Sequence, residues 1–156
     1  AVLDNTKRGM GTTCTLVALR AGKLYYAHVG DSRAYLIRKD RMRQITIDHS
    51  WVQESVDAGI LTSEEARKHP NRNVITRAIG LDPEVKVDLG DHELKSGDLV
   101  ILCSDGLNSM ISDAEIENLA SLSSDNDLCQ TLVNAAKQAG GDDNITVIVV
   151  RIDEAS

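Results

Sequence analysis

Leu99-Val-Ile-Leu-Cys103, five apolar residues followed at once by Ser104, Asp105 and Gly106, constrains this chain more than any other stretch. Five residues are too few for a stable helix but enough for a strand buried on both faces. Such a strand is a rigid support, and a carboxylate at its tip is held where the backbone emerges. Gly106 removes the Cβ that would crowd anything bound there. An isolated Asp-Gly pair is most often a turn. Two further Asp-bearing turns, Gly30-Asp31-Ser32 and Gly141-Asp142-Asp143-Asn144, also stand at the ends of apolar strands. Three such placements point to a shared acidic site.

A length of 156 residues suits a single domain, or part of one, with a substantial core. The hydrophobic fraction of 42% sets the chain apart from disordered sequences, and the absence of Phe leaves Val, Ile, Leu and Ala to build that core. A net charge of −7 argues against a nucleic-acid partner and is compatible with cation binding. Cys14, Cys103 and Cys129 lack metal-type spacing and are expected as buried free thiols of a reducing compartment. With no leader-type opening and no apolar run of membrane-spanning length, the expected location is cytoplasmic, with no membrane segment.

Alternating apolar residues predict strands over 13–19, 24–29, 33–38 and 42–45, joined by short turns into an antiparallel meander. Asp48 to Gly80 changes character. Ser50 is a candidate N-cap for a helix closed by Gly59, and Thr62-Ser-Glu-Glu65 is a capping box for a second, ended by Pro70. This segment reads as a helical insertion over a sheet, followed by a short strand over 74–79. A strand over 85–94 precedes the central one. Helical turns follow Gly106, Ser112-Asp-Ala-Glu115 is another capping box, and Asp125 or Asn126 caps a longer helix ended by Gly140-Gly141. Ile145 to Val150 is the last buried strand. Strands in hairpins with grouped helices indicate an α+β layered domain.

The carboxylates suit a hard cation. Mg²⁺ and Mn²⁺ take oxygen ligands, and Mg²⁺ typically keeps several waters beside one or two carboxylates. Asp31, Asp105 and Asp143 can each present one. His28, His49, His69 and His92 have no i, i+4 partner, Ser104 has no evident base, and Cys103 lies inside an apolar strand. Metal-activated water attacking an electrophile, most often phosphorus, is the chemistry such a site invites.

Gly9-Met-Gly-Thr-Thr13, Val29-Gly-Asp-Ser-Arg-Ala-Tyr35, Asp48-His-Ser50, Asn73-Val-Ile-Thr-Arg-Ala-Ile-Gly80, Cys103-Ser-Asp-Gly-Leu107 and Asp142-Asp-Asn-Ile-Thr-Val147 occur in the order of the type 2C (PPM) metal-dependent protein serine/threonine phosphatases. The chain resembles that family along essentially its whole length, and most nearly the compact bacterial members that oppose receptor-type Ser/Thr kinases. The resemblance implies an antiparallel β-sandwich flanked by helices, with Mn²⁺ or Mg²⁺ bound at one end. By position, Asp105 and Asp143 would ligate one metal of the catalytic pair, and Asp31 would join Asp105 at a third, looser metal. Asp142, Gly106 and Asn144 would support the ligands, Asn144 by holding the turn. Asp48 to Gly80 matches the family's flap, where His49 and Arg77 could contact substrate, although salt bridges or turn contacts are the default for both.

The family's opening strands, with an Arg for the substrate phosphate and an Asp that bridges the metals, have no counterpart here. Ala1 therefore reads as a cut end, and residues 1–156 as a single partial phosphatase domain that lacks its N-terminal segment and would need it, or another copy of the chain, to cover exposed edges. The expected function is the C-terminal part of a phosphoprotein phosphatase, inactive or nearly so by itself. The alternative is a non-catalytic phosphoprotein-binding or regulatory module of the same fold. The implied partners are phosphorylated proteins and an opposing Ser/Thr kinase.

Overall fold

The computed structural model of the chain describes residues 9–153. In chain order the elements are β1 (Cys14–Arg20), β2 (Lys23–Val29), β3 (Arg33–Arg38), β4 (Arg41–Gln44), α1 (Trp51–Asp57), α2 (Ser63–Lys68), β5 (Asp88–Glu93), β6 (Leu99–Cys103), α3 (Asp105–Asn108), α4 (Asp113–Leu122), α5 (Asp125–Gln138) and β7 (Val147–Arg151). They form two antiparallel sheets, one ordered β1-β2-β5 and the other β4-β3-β6-β7, giving an α+β fold. Two compact units interleave along the chain. One comprises the described residues up to Arg20 with Leu24–Ser32 and Ile47–Asp91, and the other Ala21–Lys23, Arg33–Thr46 and the chain from His92 onward.

Strands β1 and β2 are joined through Ala21 and Gly22, both at positive φ, the conformation of a two-residue hairpin turn whose twist matches its strands. β1 is an edge strand, and Leu16 and Leu19 on it are exposed, as are Tyr25 on β2 and Leu89 on β5. Ser50 caps α1 by accepting from the Gln53 amide. Thr62 and Glu65 make the full reciprocal capping box of α2. Residues 74–79 are not a strand. Their backbone is satisfied piecemeal, by isolated bridges of Ile75 to Ser50 and of Ile79 to Thr12. A chain passing two different partners within five residues cannot build a ladder.

The second unit is built on β6. Leu99, Val100, Ile101 and Cys103 are buried, with β3 and β7 antiparallel on either side. Leu107, Ile111, Ile116, Leu128, Leu132 and Ala136 from α3, α4, α5 and their connections complete the core with Tyr35 and Ile37. The Tyr35 hydroxyl donates to Asp113 (3.1 Å), and the Glu117 carboxylate accepts from the Met42 amide, so α4 is tied to β3 and β4 by polar as well as apolar contacts.

Three expectations need correction. β2 and β3 do not continue one meander. They lie in different sheets, because each finds its second neighbour far along the chain, β5 for β2 and β6 for β3. Cys14 is exposed rather than buried, since it lies on the edge strand, whereas Cys103 is buried and Cys129 half-buried. The cap of α5 is Ser124, one residue earlier than expected, in extended conformation with its hydroxyl on the Asp127 carboxylate.

The entry to β6 carries an ion pair between a buried carboxylate and a half-buried guanidinium. Arg38 donates to both oxygens of Asp98 (2.7 and 2.6 Å), and the Lys95 amide donates to the same carboxylate. Burial alone would raise the Asp98 pKa, but these donors win and hold it below the usual carboxylate range. The unfolded chain therefore takes up a proton near pH 4 that the folded carboxylate refuses until lower pH. Stability is expected to fall as pH drops through the depressed folded value, and Asp98→Asn should flatten that limb of an acid-unfolding curve. Arg38→Ala, which strands the carboxylate, should cost about 3 kcal/mol in urea unfolding at pH 7. At the β3–β4 turn, Lys39 and Asp40 both hold positive φ without being glycine. Replacing the pair by Asn-Gly should stabilise by about 0.5–1 kcal/mol.

Candidate functional site

In the first unit, Asp31 sits in the turn that leaves β2, and that turn is fixed from three directions. The Gly30 amide donates to His49 Nδ1 (2.9 Å), while the His49 amide donates back to the Gly30 carbonyl (2.7 Å). Thr13 Oγ1 lies 3.1 Å from Ser32 Oγ, and Thr15 Oγ1 lies 3.0 Å from the Ser32 carbonyl. Gly30 has φ +116°, and a Cβ there would lie 2.3 Å from Thr13 Cγ2. No other residue fits on either ground.

His49 Nδ1 accepts the hydrogen bond from the Gly30 amide, and its Nε2 faces both Arg77 Nη1 at 2.8 Å and Asp88 Oδ2 at 3.1 Å. Arg77 Nη1 donates to Asp88 Oδ1 at 2.8 Å and to the Lys86 carbonyl. The His49 imidazole, followed by the Arg77 guanidinium, holds Asp88 below the usual carboxylate range. His28, buried 4.8 Å from the His49 ring, has its pKa lowered by burial and then by that neighbour. His49 and Arg77 thus meet at Asp88, a residue with no special mark in the sequence. Strand β5 places it there.

In the second unit, Asp105 is the first residue of α3, so β6 turns directly into a helix rather than into a loop. Asp143 is exposed, and its Oδ1 accepts from the Asn144 amide. The two turns are bound together. Ser104 Oγ donates to the Asn144 carbonyl (2.9 Å) and accepts from the Thr146 amide (3.0 Å), while the Ser104 amide donates to the Thr146 carbonyl (3.1 Å). A Cβ on Gly106 would lie 2.4 Å from the Asn144 oxygen, so only glycine allows this approach. Asn144 acts through its carbonyl. Asp142 is exposed, with its carboxylate beside Gly140.

Among the described residues, no group of three or more His, Cys, Asp or Glu side chains stands ready to hold a metal ion. The second unit nevertheless offers carboxylates on two turns in contact, next to a glycine that a Cβ would exclude. Carboxylate oxygens are hard donors, and Mg²⁺ or Mn²⁺ bound by one or two of them completes its shell with water. In donor chemistry, these carboxylates are of the kind such an ion takes.

The family model described as stage II sporulation protein E (SpoIIE) matches residues 1–153. Protein phosphatase PhpP of Streptococcus pneumoniae is 47% identical over 154 residues, covering 97% of this chain and 62% of that protein. Among solved structures, the Mycobacterium tuberculosis serine/threonine phosphatase PstP/Ppp superposes with a TM-score of 0.92 at 38% identity, over 98% of this chain and 65% of that one. A PstP catalytic domain in complex with two manganese ions superposes with a TM-score of 0.85 at 37% identity, over 94% of this chain and 61% of that one. The chain therefore spans less than two thirds of the length of these relatives.

His49→Ala removes the acceptor of the buried Gly30 amide. It should destabilise the first unit by about 1–3 kcal/mol, read as faster amide exchange at Gly30. Gly30→Ala should cost at least as much, since it adds a clash with Thr13 to an unfavourable φ.

Proposed function

Since the chain belongs to the type 2C (PPM) family of protein phosphatases, we propose that it is the C-terminal portion of a metal-dependent protein serine/threonine phosphatase acting on phosphoserine and phosphothreonine. The observation that carries this reading is the pair of carboxylate-bearing turns, Asp105 and Asp143, locked together at the tip of a buried strand. Asp105 and Asp143 would hold Mn²⁺ or Mg²⁺, and Asp31 offers a carboxylate of the same kind from the first unit. When bound, the cation supplies an acidified water and offsets charge on the phosphate.

The chain's own residues do the holding. Ser104 and Gly106 fix the distance between the two turns, and the Asn144 carbonyl accepts from the Ser104 hydroxyl. His49 and the Gly30 backbone fix the Asp31 turn. Residues 48–80 form the flap of this single partial domain. Of the two flap candidates, Arg77 keeps exposed surface and is the one read as meeting a phosphoprotein, whereas the buried His49 is committed to the turn.

Intact, the protein would act on phosphorylated proteins in the cytoplasm against an opposing Ser/Thr kinase. No helix among the described residues is long and apolar enough to cross a membrane. The 62% coverage of PhpP and the exposed Leu16, Tyr25 and Leu89 support a further segment that packs on the first sheet.

The chain alone should hydrolyse a phosphothreonine peptide slowly or not at all. Joined to the opening segment of a curated relative, it should do so in a Mn²⁺-dependent way. Asp105→Asn should weaken Mn²⁺ binding by at least about tenfold in calorimetric titration, with little change in thermal midpoint in EDTA. Phosphopeptide binding without turnover by the joined protein would favour a binding module and sink the enzymatic reading.

A further inference from the structure

We propose that Ser104 is a positioning residue whose hydroxyl sets how the Asp143 turn stands against Asp105, and thereby how tightly the pair grips a divalent cation. The proposal rests on the metal reading above and adds a residue that the sequence marked only as a nucleophile without a base.

Strands β6 and β7 pair regularly up to Cys103 and Val147. The next pair would be Ser104 and Thr146, and half of it forms, with the Ser104 amide donating to the Thr146 carbonyl. The return bond cannot form in the usual way. The Ser104 carbonyl has been diverted into α3, where it accepts from the Leu107 amide (3.1 Å). The hydroxyl takes over as acceptor for the Thr146 amide and donates its own hydrogen bond to the Asn144 carbonyl. One donor and one accepted bond are within the capacity of a hydroxyl. The ladder is thus extended as far as Ser104 and Asn144, the neighbours of the two acids in the chain.

A second observation concerns the same hydroxyl. Ser104 is the N-cap of α3, and a serine there ordinarily accepts from an amide of the first turn. Here it makes no such bond. Ser50, Thr62 and Ser112 cap their helices through the side chain, whereas Ser124, like Ser104, does not, its hydroxyl going to the Asp127 carboxylate. At Ser104 the fold forgoes a cap to tie down the Asp143 turn.

Ser104→Ala would leave the Thr146 amide and the Asn144 carbonyl without this partner and free the turn to drift from Asp105. The test is Mn²⁺ titration by calorimetry of the parent chain and of Ser104→Ala, Ser104→Thr and Asp143→Asn. Alongside it run thermal midpoints in EDTA and amide exchange at Thr146. Ser104→Ala should bind Mn²⁺ about tenfold more weakly and exchange faster at Thr146, and Ser104→Thr, which keeps the hydroxyl, should restore both. Parental Mn²⁺ affinity in Ser104→Ala, with affinity lost in Asp143→Asn, overturns the role of Ser104 and leaves the metal reading intact. A parent that takes up no Mn²⁺, or an Asp143→Asn variant with parental affinity, sinks the metal reading itself and this proposal with it. If Ser104→Ala does not fold, Ser104→Cys substitutes a weaker acceptor. It should then bind Mn²⁺ less tightly at an unchanged midpoint in EDTA, and parental affinity there also overturns the proposal.

Discussion

Strand β6 has almost no polar face, and this is the constraint on which the second unit depends. A half-buried strand is kept in register because a slip of one residue would turn its apolar side to water. Leu99, Val100, Ile101 and Cys103 are all buried, so alternation penalises such a slip only weakly. Register has to come from the ends. At the entry, Asp98 is gripped by Arg38 and the Lys95 amide, and Gly97 and Asp98 exchange backbone bonds with Ile152. At the exit, Ser104 bonds Asn144 and Thr146 through both hydroxyl and amide. The exit lock joins the stretches that carry Asp105 and Asp143, so the device that registers the strand also runs beside the candidate site.

The family-like motifs group in space in the same spirit. Thr13 and Thr15, the Gly30-Asp31-Ser32 turn, His49 and Arg77 come from four separate stretches and converge within the first unit. Ser104, Gly106, Asn144 and Thr146 come from two stretches and converge within the second. Most of these residues are not ligand candidates. They hold the backbone on either side of a carboxylate, by a hydroxyl, an imidazole or the absence of a Cβ. Buried backbone groups must be paired, so each acid-bearing turn needs partners from elsewhere, and those partners appear as motifs of their own.

The α5 cap was a local miss of one residue; the larger misreadings came from the way distant parts of the chain pair. Short turns over 13–45 read as a continuous meander, yet β5 and β6 draw β2 and β3 into different sheets. Apolar spacing over 74–79 read as a strand, but bridges to Ser50 and Thr12 divide it. Cys14 looked like a core thiol because its neighbours are apolar, and only its place on an edge strand shows it to be exposed. Asp88 carried no signal at all, since its role is defined by His49 and Arg77 across the first unit.

Local chemistry was enough to fix the central strand, the caps at Ser50, Thr62 and Ser112, the hairpin turns and the positions of the three carboxylates. Each of these depends on residues a few positions apart, where periodicity, capping and φ preference act directly. The ordered motifs identified the family for the same reason, as short patterns legible in one dimension. Which strands share a sheet, which turn touches which, and whether a serine caps its helix or clamps a neighbouring loop were decided only in three dimensions. Ser104 shows why. A cap bond and a clamp bond are of similar strength, and the choice falls to whichever partner the tertiary fold brings within about 3 Å.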